Sequence, residues 1–232
     1  MSRLRSQKTQ IRSFLETPRW QSNLDRIAEA RMASIGPLLT LLTYEPVLRQ
    51  RAAIALGLTT AVIHKEHPEI ARDIMRRLMW RMSEESGNIG WGVPEAIGEV
   101  LGHCPALAKD FHRILFTTVL DLGFDDNYVD NDVLRRSCFF AIGRFLASAP
   151  EYGDKVRQLL IKGLNDPDPV CRGMAAWALG KIPAKLDAFA ALRTVEAENN
   201  RTQCLITDGD RTAVCSVSEL AGMTLKNIDP LK

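Results

Sequence analysis

The stretch EPVLRQRAAIALG, Glu45 to Gly57, returns later in the chain as DPVCRGMAAWALG, Asp168 to Gly180. Proline, valine, arginine, two alanines and a closing Ala-Leu-Gly keep identical offsets. A third copy, NDVLRRSCFFAIG from Asn131 to Gly143, retains the valine, the arginine and Ala-Ile-Gly. PEAIG, ending at Gly98, supplies a fourth. The closing glycines fall at 57, 98, 143 and 180, at intervals of 41, 45 and 37 residues. A unit of this period cannot bury its apolar face alone and must stack on its neighbours.

Each copy follows a segment whose apolar residues recur at three and four, one face of a helix. These segments are IGPLLTLL (35–42), IARDIMRRLMWRM (70–82), FHRILFTTVLDL (111–122) and KVRQLLIKGL (155–164). Pro46 and Pro169 suit the first turn of a second helix, where no amide hydrogen bond is lost. The repeating unit is therefore helix A, a short turn and helix B.

DPDPVCRGMAAWALGKI is the clearest copy, and its pattern resembles HEAT repeats, in particular the short HEAT-like type also found in phycobilin lyases. The resemblance spans roughly residues 34–185. It implies an all-α, right-handed α-solenoid in which the small alanines and the glycine allow close helix approach. The shared arginine is expected to brace the A–B turn. The expected organisation is one solenoid domain over 1–232, with capping helices at 1–33, four repeats at 34–185 and a C-terminal cap at 186–232. Thr17-Pro18 is read as the start of the second capping helix. At the other end, helix A of a possible fifth repeat is expected at about 185–197. RTQCLITDGDRTAVCS then alternates around Asp208-Gly209, a hairpin signal. VSELAGMTLK reads as a short helix capped by Ser216 or Ser218. This small hairpin and helix cap is the favoured reading. Gly222 lies 42 residues after Gly180, so a degenerate fifth repeat is the alternative.

Composition narrows the function classes. A net charge of +2 does not by itself indicate nucleic-acid binding. The apolar runs fall short of a membrane span. MSRLRSQKTQIRSFLE is basic but lacks the apolar core of a secretory signal, so a cytoplasmic protein opening on a surface helix is expected. Five cysteines without a CxxC pair point to reduced thiols serving as core filler. No HExxH occurs, and no metal or cofactor is expected. The acidic connection DLGFDDNYVDND lacks EF-hand spacing and reads as a solvated loop.

Aligning the repeats isolates candidate partner-binding positions on the concave side of the B helices. Before Ala-Leu-Gly stand Ile54, Glu95, Phe140 and Trp177; after the glycine come Glu99, Arg144 and Lys181; nearer the helix start are Arg51, Trp91 and Arg136. Aromatics beside arginines compose interaction hot spots. Packing of Phe140 and Trp177 between adjacent B helices is the competing reading. In the second repeat the equivalent segment is SGNIGWGVPEAIGEVLG. Its glycines and Pro94 predict an ordered non-helical loop from Ser86 to Val93, a B helix starting near Pro94, and Glu95 facing the groove. Glu95, Glu99 and His103 share one helical stripe. Glu95 serves either as a cap with Trp91 filling space, as part of a binding notch, or as a catalytic carboxylate without an evident second group. No GxxxxGK[ST] pattern accompanies the loop.

The leading expectation is a non-enzymatic adaptor or scaffold that binds a protein partner, with nucleic acid and membrane not expected and the oligomeric state open. The alternative is a lyase-like or maturation factor for a cofactor-bearing partner. A third reading is a HEAT-like DNA glycosylase, for which Trp91, Glu95, Arg136, Arg144 and Trp177 are similar ingredients without a residue-by-residue motif match.

Overall fold

The computed structural model describes residues 3–83, 90–123, 127–183, 185–208 and 211–228. It is all-α apart from one hairpin, and it divides into two compact units, residues 1–112 and 113–232.

In the first unit, α1 (Arg3–Glu16) and α2 (Leu24–Glu29) form the N-terminal cover. Between them stands a 3-10 turn at Trp20–Asn23, so the second helix begins later than Thr17-Pro18 suggests. The buried Trp20 ring takes up the space of that turn. The helix pairs are α3 (Met32–Leu41) with α4 (Pro46–Glu66), and α5 (Pro68–Met82) with α6 (Val93–His103). Pro46 occupies the first turn of α4, as expected. The α4 helix is the centre of this unit, packing against α1, α2, α3, α5 and α6. Its closing glycine explains the closeness: a Cβ on Gly57 would lie 2.8 Å from backbone and Cβ atoms of Glu99. α7 (Pro105–Thr117) follows directly and runs across the boundary of the units. It starts before and ends before the 111–122 segment expected for helix A, because after Thr117 the backbone leaves the helix in a turn.

The second unit continues with α8 (Asp132–Ser148), α9 (Gly153–Gly163), α10 (Pro169–Leu179) and α11 (Phe189–Ala197). A hairpin, β1 (Gln203–Asp208) with β2 (Arg211–Ser216), precedes α12 (Val217–Ile228). Helix starts are locally encoded. The Asn131 side chain accepts from Leu134 N, and Asp168 accepts from Cys171 N. At α12 the caps are reciprocal: Ser216 Oγ accepts from Glu219 N, and Glu219 accepts from Ser216 N at 2.7 Å, a capping box. Successive B helices stack, α8 on α10 and α10 on α12, while α11 packs along α12. α11 and α12 are a fifth helix pair, and the hairpin is the connection between them.

Candidate partner-binding face

The arginine shared by the repeats comes first, because it fixes the A–B turns that present the B helices. Arg49 donates to Tyr44 O at 3.0 Å, Arg135 to Val129 O and Asp130 O at 2.9 and 2.8 Å, and Arg172 to Asp166 O at 2.9 Å. The expected brace is present in all three. Each guanidinium also reaches the next A–B connection, which the sequence did not reveal. Arg135 pairs with Asp166 through two bonds of 2.8 and 3.0 Å, and Arg172 meets Glu198 at 2.7 Å. Arg49 instead lies over the Trp91 ring, 5.7 Å from its centre.

That contact places the odd stretch of the second repeat. Trp91 stands where later repeats put a carboxylate. Gly92 is the residue before α6 and has φ of 73°, a left-handed conformation. A Cβ there would lie 2.5 Å from Leu42 O, so a side chain is excluded by both conformation and space. Gly90 lies against Arg81 O, 3.0 Å from the site of a Cβ. The helix begins at Val93, as the Pro94 signal implies. The expected loop segment from Ser86 to Ile89 lies outside the described residues.

Glu95 does not face open space: it is 4% exposed, and Glu99 is 5% exposed with an oxygen 3.5 Å from His103 Nε2. Ile54, Phe140 and Trp177 are likewise buried. The expectation of an exposed ridge at these five positions is corrected, and the reason is packing between B helices. Glu99 lies against Gly57, and a Cβ on Gly143 would overlap the Trp177 ring. Phe140 and Trp177 stack face to face, with ring centres 5.2 Å apart and an interplanar angle of 15°. Small residues on one B helix thus receive large ones from the next.

The remaining five positions stay partly accessible: Arg51, Trp91, Arg136, Arg144 and Lys181. In the first unit Arg51 turns toward the N-terminal cover, donating to Leu15 O at 2.7 Å above the Trp20 ring. Burial pushes its guanidinium pKa down. In the second unit Arg136 grips Asp168 through bonds of 2.9 and 2.6 Å, with Asp132 at 3.6 Å. Burial acts to raise the Asp168 carboxyl, yet Arg136 and the Cys171 amide outweigh it and hold that carboxyl below the usual range. Arg144 bonds Asp208 at 3.0 Å, and Lys181 pairs with the same carboxylate while lying over Trp177, 4.7 Å from the ring centre. Asp208 was legible only as a hairpin turn residue. Its position at the end of β1 also makes it the counter-ion for two B-helix cations.

The face of α8 and α10 therefore carries cations held in place by carboxylates, above a buried, stacked aromatic pair. Among the described residues, no three His, Cys, Asp or Glu side chains gather in a way that could hold a metal ion. None of the described helices is long and apolar enough to cross a membrane.

The HEAT repeat family model matches residues 156–182, which contain most of α9 and all of α10. This segment is thus similar to a HEAT repeat. The chain as a whole carries HEAT-like helix pairs with a small hairpin, and HEAT repeats generally serve as protein-interaction scaffolds. No curated protein matches the chain.

Proposed function

We propose that the protein is a non-enzymatic adaptor that binds a protein partner on the B-helix face of α8 and α10. Arg136, Arg144 and Lys181 form the rim, and the Phe140–Trp177 stack forms the rigid support. Arg51 and Trp91 are the accessible counterparts in the first unit, where Ile54, Glu95 and Glu99 are buried. The observation that carries this reading is the Asp208 clamp on Arg144 and Lys181. It presets two cations over a buried aromatic pair, which lowers the entropy lost on binding. Because each cation already has a carboxylate, the face suits a partner of mixed charge better than a run of phosphates. The free thiols fit a cytoplasmic setting.

The test is a photo-crosslinking residue placed at position 136 or 181, with position 162 on the exposed side of α9 as the control. Expressed in the native cell, the first two positions should capture the same protein, and Lys181→Glu should reduce its capture by Arg136 crosslinking. Capture from position 162 with none from 136 or 181 would place binding elsewhere.

A further inference from the structure

At three of the closing glycines, an added Cβ would meet the next B helix of the same unit. Gly57 receives Glu99 of α6, Gly143 receives Trp177 of α10, and Gly180 receives Thr224 of α12, whose Oγ1 would lie 2.7 Å from an added Cβ. Gly222 of α12 is the next in this series. Among the described residues, the nearest atoms to a Cβ there all belong to the Glu196 side chain, with Oε1 at 2.9 Å. Glu196 is partly exposed and pairs with Arg193 on its own helix, so it can swing away. Among the described residues, no further B helix packs over Gly222.

The surface around it is a groove of about 920 Å³ between α11, the hairpin and α12. Glu219, Gly222, Met223 and Lys226 line it along one stripe of α12, at i, i+3, i+4 and i+7. Met223 is 52% exposed and Val214 of β2, on the adjacent wall, is 57% exposed. Two large apolar side chains thus project into solvent beside a glycine that elsewhere in the chain accepts a neighbouring helix.

The charges on this stripe select the occupant. Glu219 and Lys226 lie equally far from the midpoint between Gly222 and Met223. If two α12 helices cross antiparallel at that midpoint, Glu219 of each meets Lys226 of the other. At the same time Met223 of each enters the hollow over the other's Gly222. A stripe that complements itself on reversal is the requirement of a two-fold symmetric contact. Glu219 already accepts from Ser216 N through one oxygen, and a carboxylate has capacity for a further donor. We infer that α12 is the contact surface for a second copy of this chain, in a two-fold dimer centred on Gly222 and Met223.

The experiment is sedimentation of the full-length chain over a range of concentrations. The parent should approach twice the chain mass as concentration rises, and Met223→Glu should stay at the single-chain mass. Glu219→Lys and Lys226→Glu each place like charges opposite one another twice per dimer, and each should weaken association by about tenfold or more. An equal mixture of these two variants restores both opposite-charge pairs and should recover association. Thermal unfolding of each variant confirms folding, which matters for Glu219→Lys because Glu219 also caps α12. A parent that remains monomeric throughout overturns the inference, as it would if α12 were covered by some other partner. So does a Met223→Glu variant that associates like the parent, or a mixture no better than either variant alone.

Discussion

Replacing Asp166 by asparagine isolates the link between adjacent repeats. Arg135 and Asp166 have side chains only 4% and 7% exposed. The guanidinium makes two bonds to the carboxylate and one each to Val129 O and Asp130 O, and Tyr128 lies against it at 5.2 Å. Asp166 raises the pKa of Arg135 against the effect of burial, so the cation stays charged. Asp166→Asn keeps the shape and one acceptor oxygen but leaves a buried charge without its counter-ion, a change that costs about 3–5 kcal/mol. Against a total stability of roughly 5–15 kcal/mol this is a large loss. The contrast is Arg12–Glu16, where both side chains are 45% exposed and water screens the pair; Glu16→Gln should change stability far less. Urea unfolding followed by circular dichroism measures both. An Asp166→Asn loss below about 1 kcal/mol would mean that the pair behaves as a surface ion pair, contrary to the burial argument. A second variant separates lost attraction from orphaned charge. Arg135→Met with Asp166→Leu removes both charges and should recover most of the stability, since apolar replacement of a buried pair is often neutral.

The Asp168 carboxyl has a depressed pKa in the folded state, so its stabilisation is present above the unfolded carboxylate value of about 4 and is lost as pH falls below that. Asp168→Asn should therefore lower stability at neutral pH and flatten the acid limb of the stability–pH curve, read from melting temperatures between neutral pH and the acid limit of folding. Ala53→Arg or Ala176→Arg inserts a long cation at a site no more than 1% exposed and should abolish cooperative unfolding in calorimetry; a parent-like transition would refute the packing register. Of the five thiols only Cys215 is partly accessible, and Cys204 is pushed up to about 12 by burial and by its neighbour Cys215. A bulky disulfide reagent should label Cys215 in the native chain and reach Cys104, Cys138, Cys171 and Cys204 only on unfolding.

The periodic parts of this protein were legible in the sequence because they depend on local rules. Proline at the first turn of α4 and α10, together with the recurring Ala-Leu-Gly or Ala-Ile-Gly ending, locates most of α4, α8 and α10 without any tertiary information. The β1–β2 hairpin announced itself through strand alternation around a turn dipeptide. The shared arginine could be assigned to its own turn, since that contact lies within a few residues. What it does beyond the turn could not be read: whether Arg49, Arg135 and Arg172 meet a ring or a carboxylate depends on which residue the next repeat brings opposite. Exposure was misjudged for the same reason. Repeat alignment identifies equivalent positions, but only stacking shows that Trp177 fills the space over Gly143 and that Glu99 lies over Gly57. Asp208 is the clearest case, because a turn residue becomes the counter-ion of Arg144 and Lys181 only when the hairpin folds back on helices distant in sequence. Local sequence determined the helices, their caps and their repeat; the neighbours that decide burial and charge pairing came from tertiary stacking, because those contacts join residues tens of positions apart.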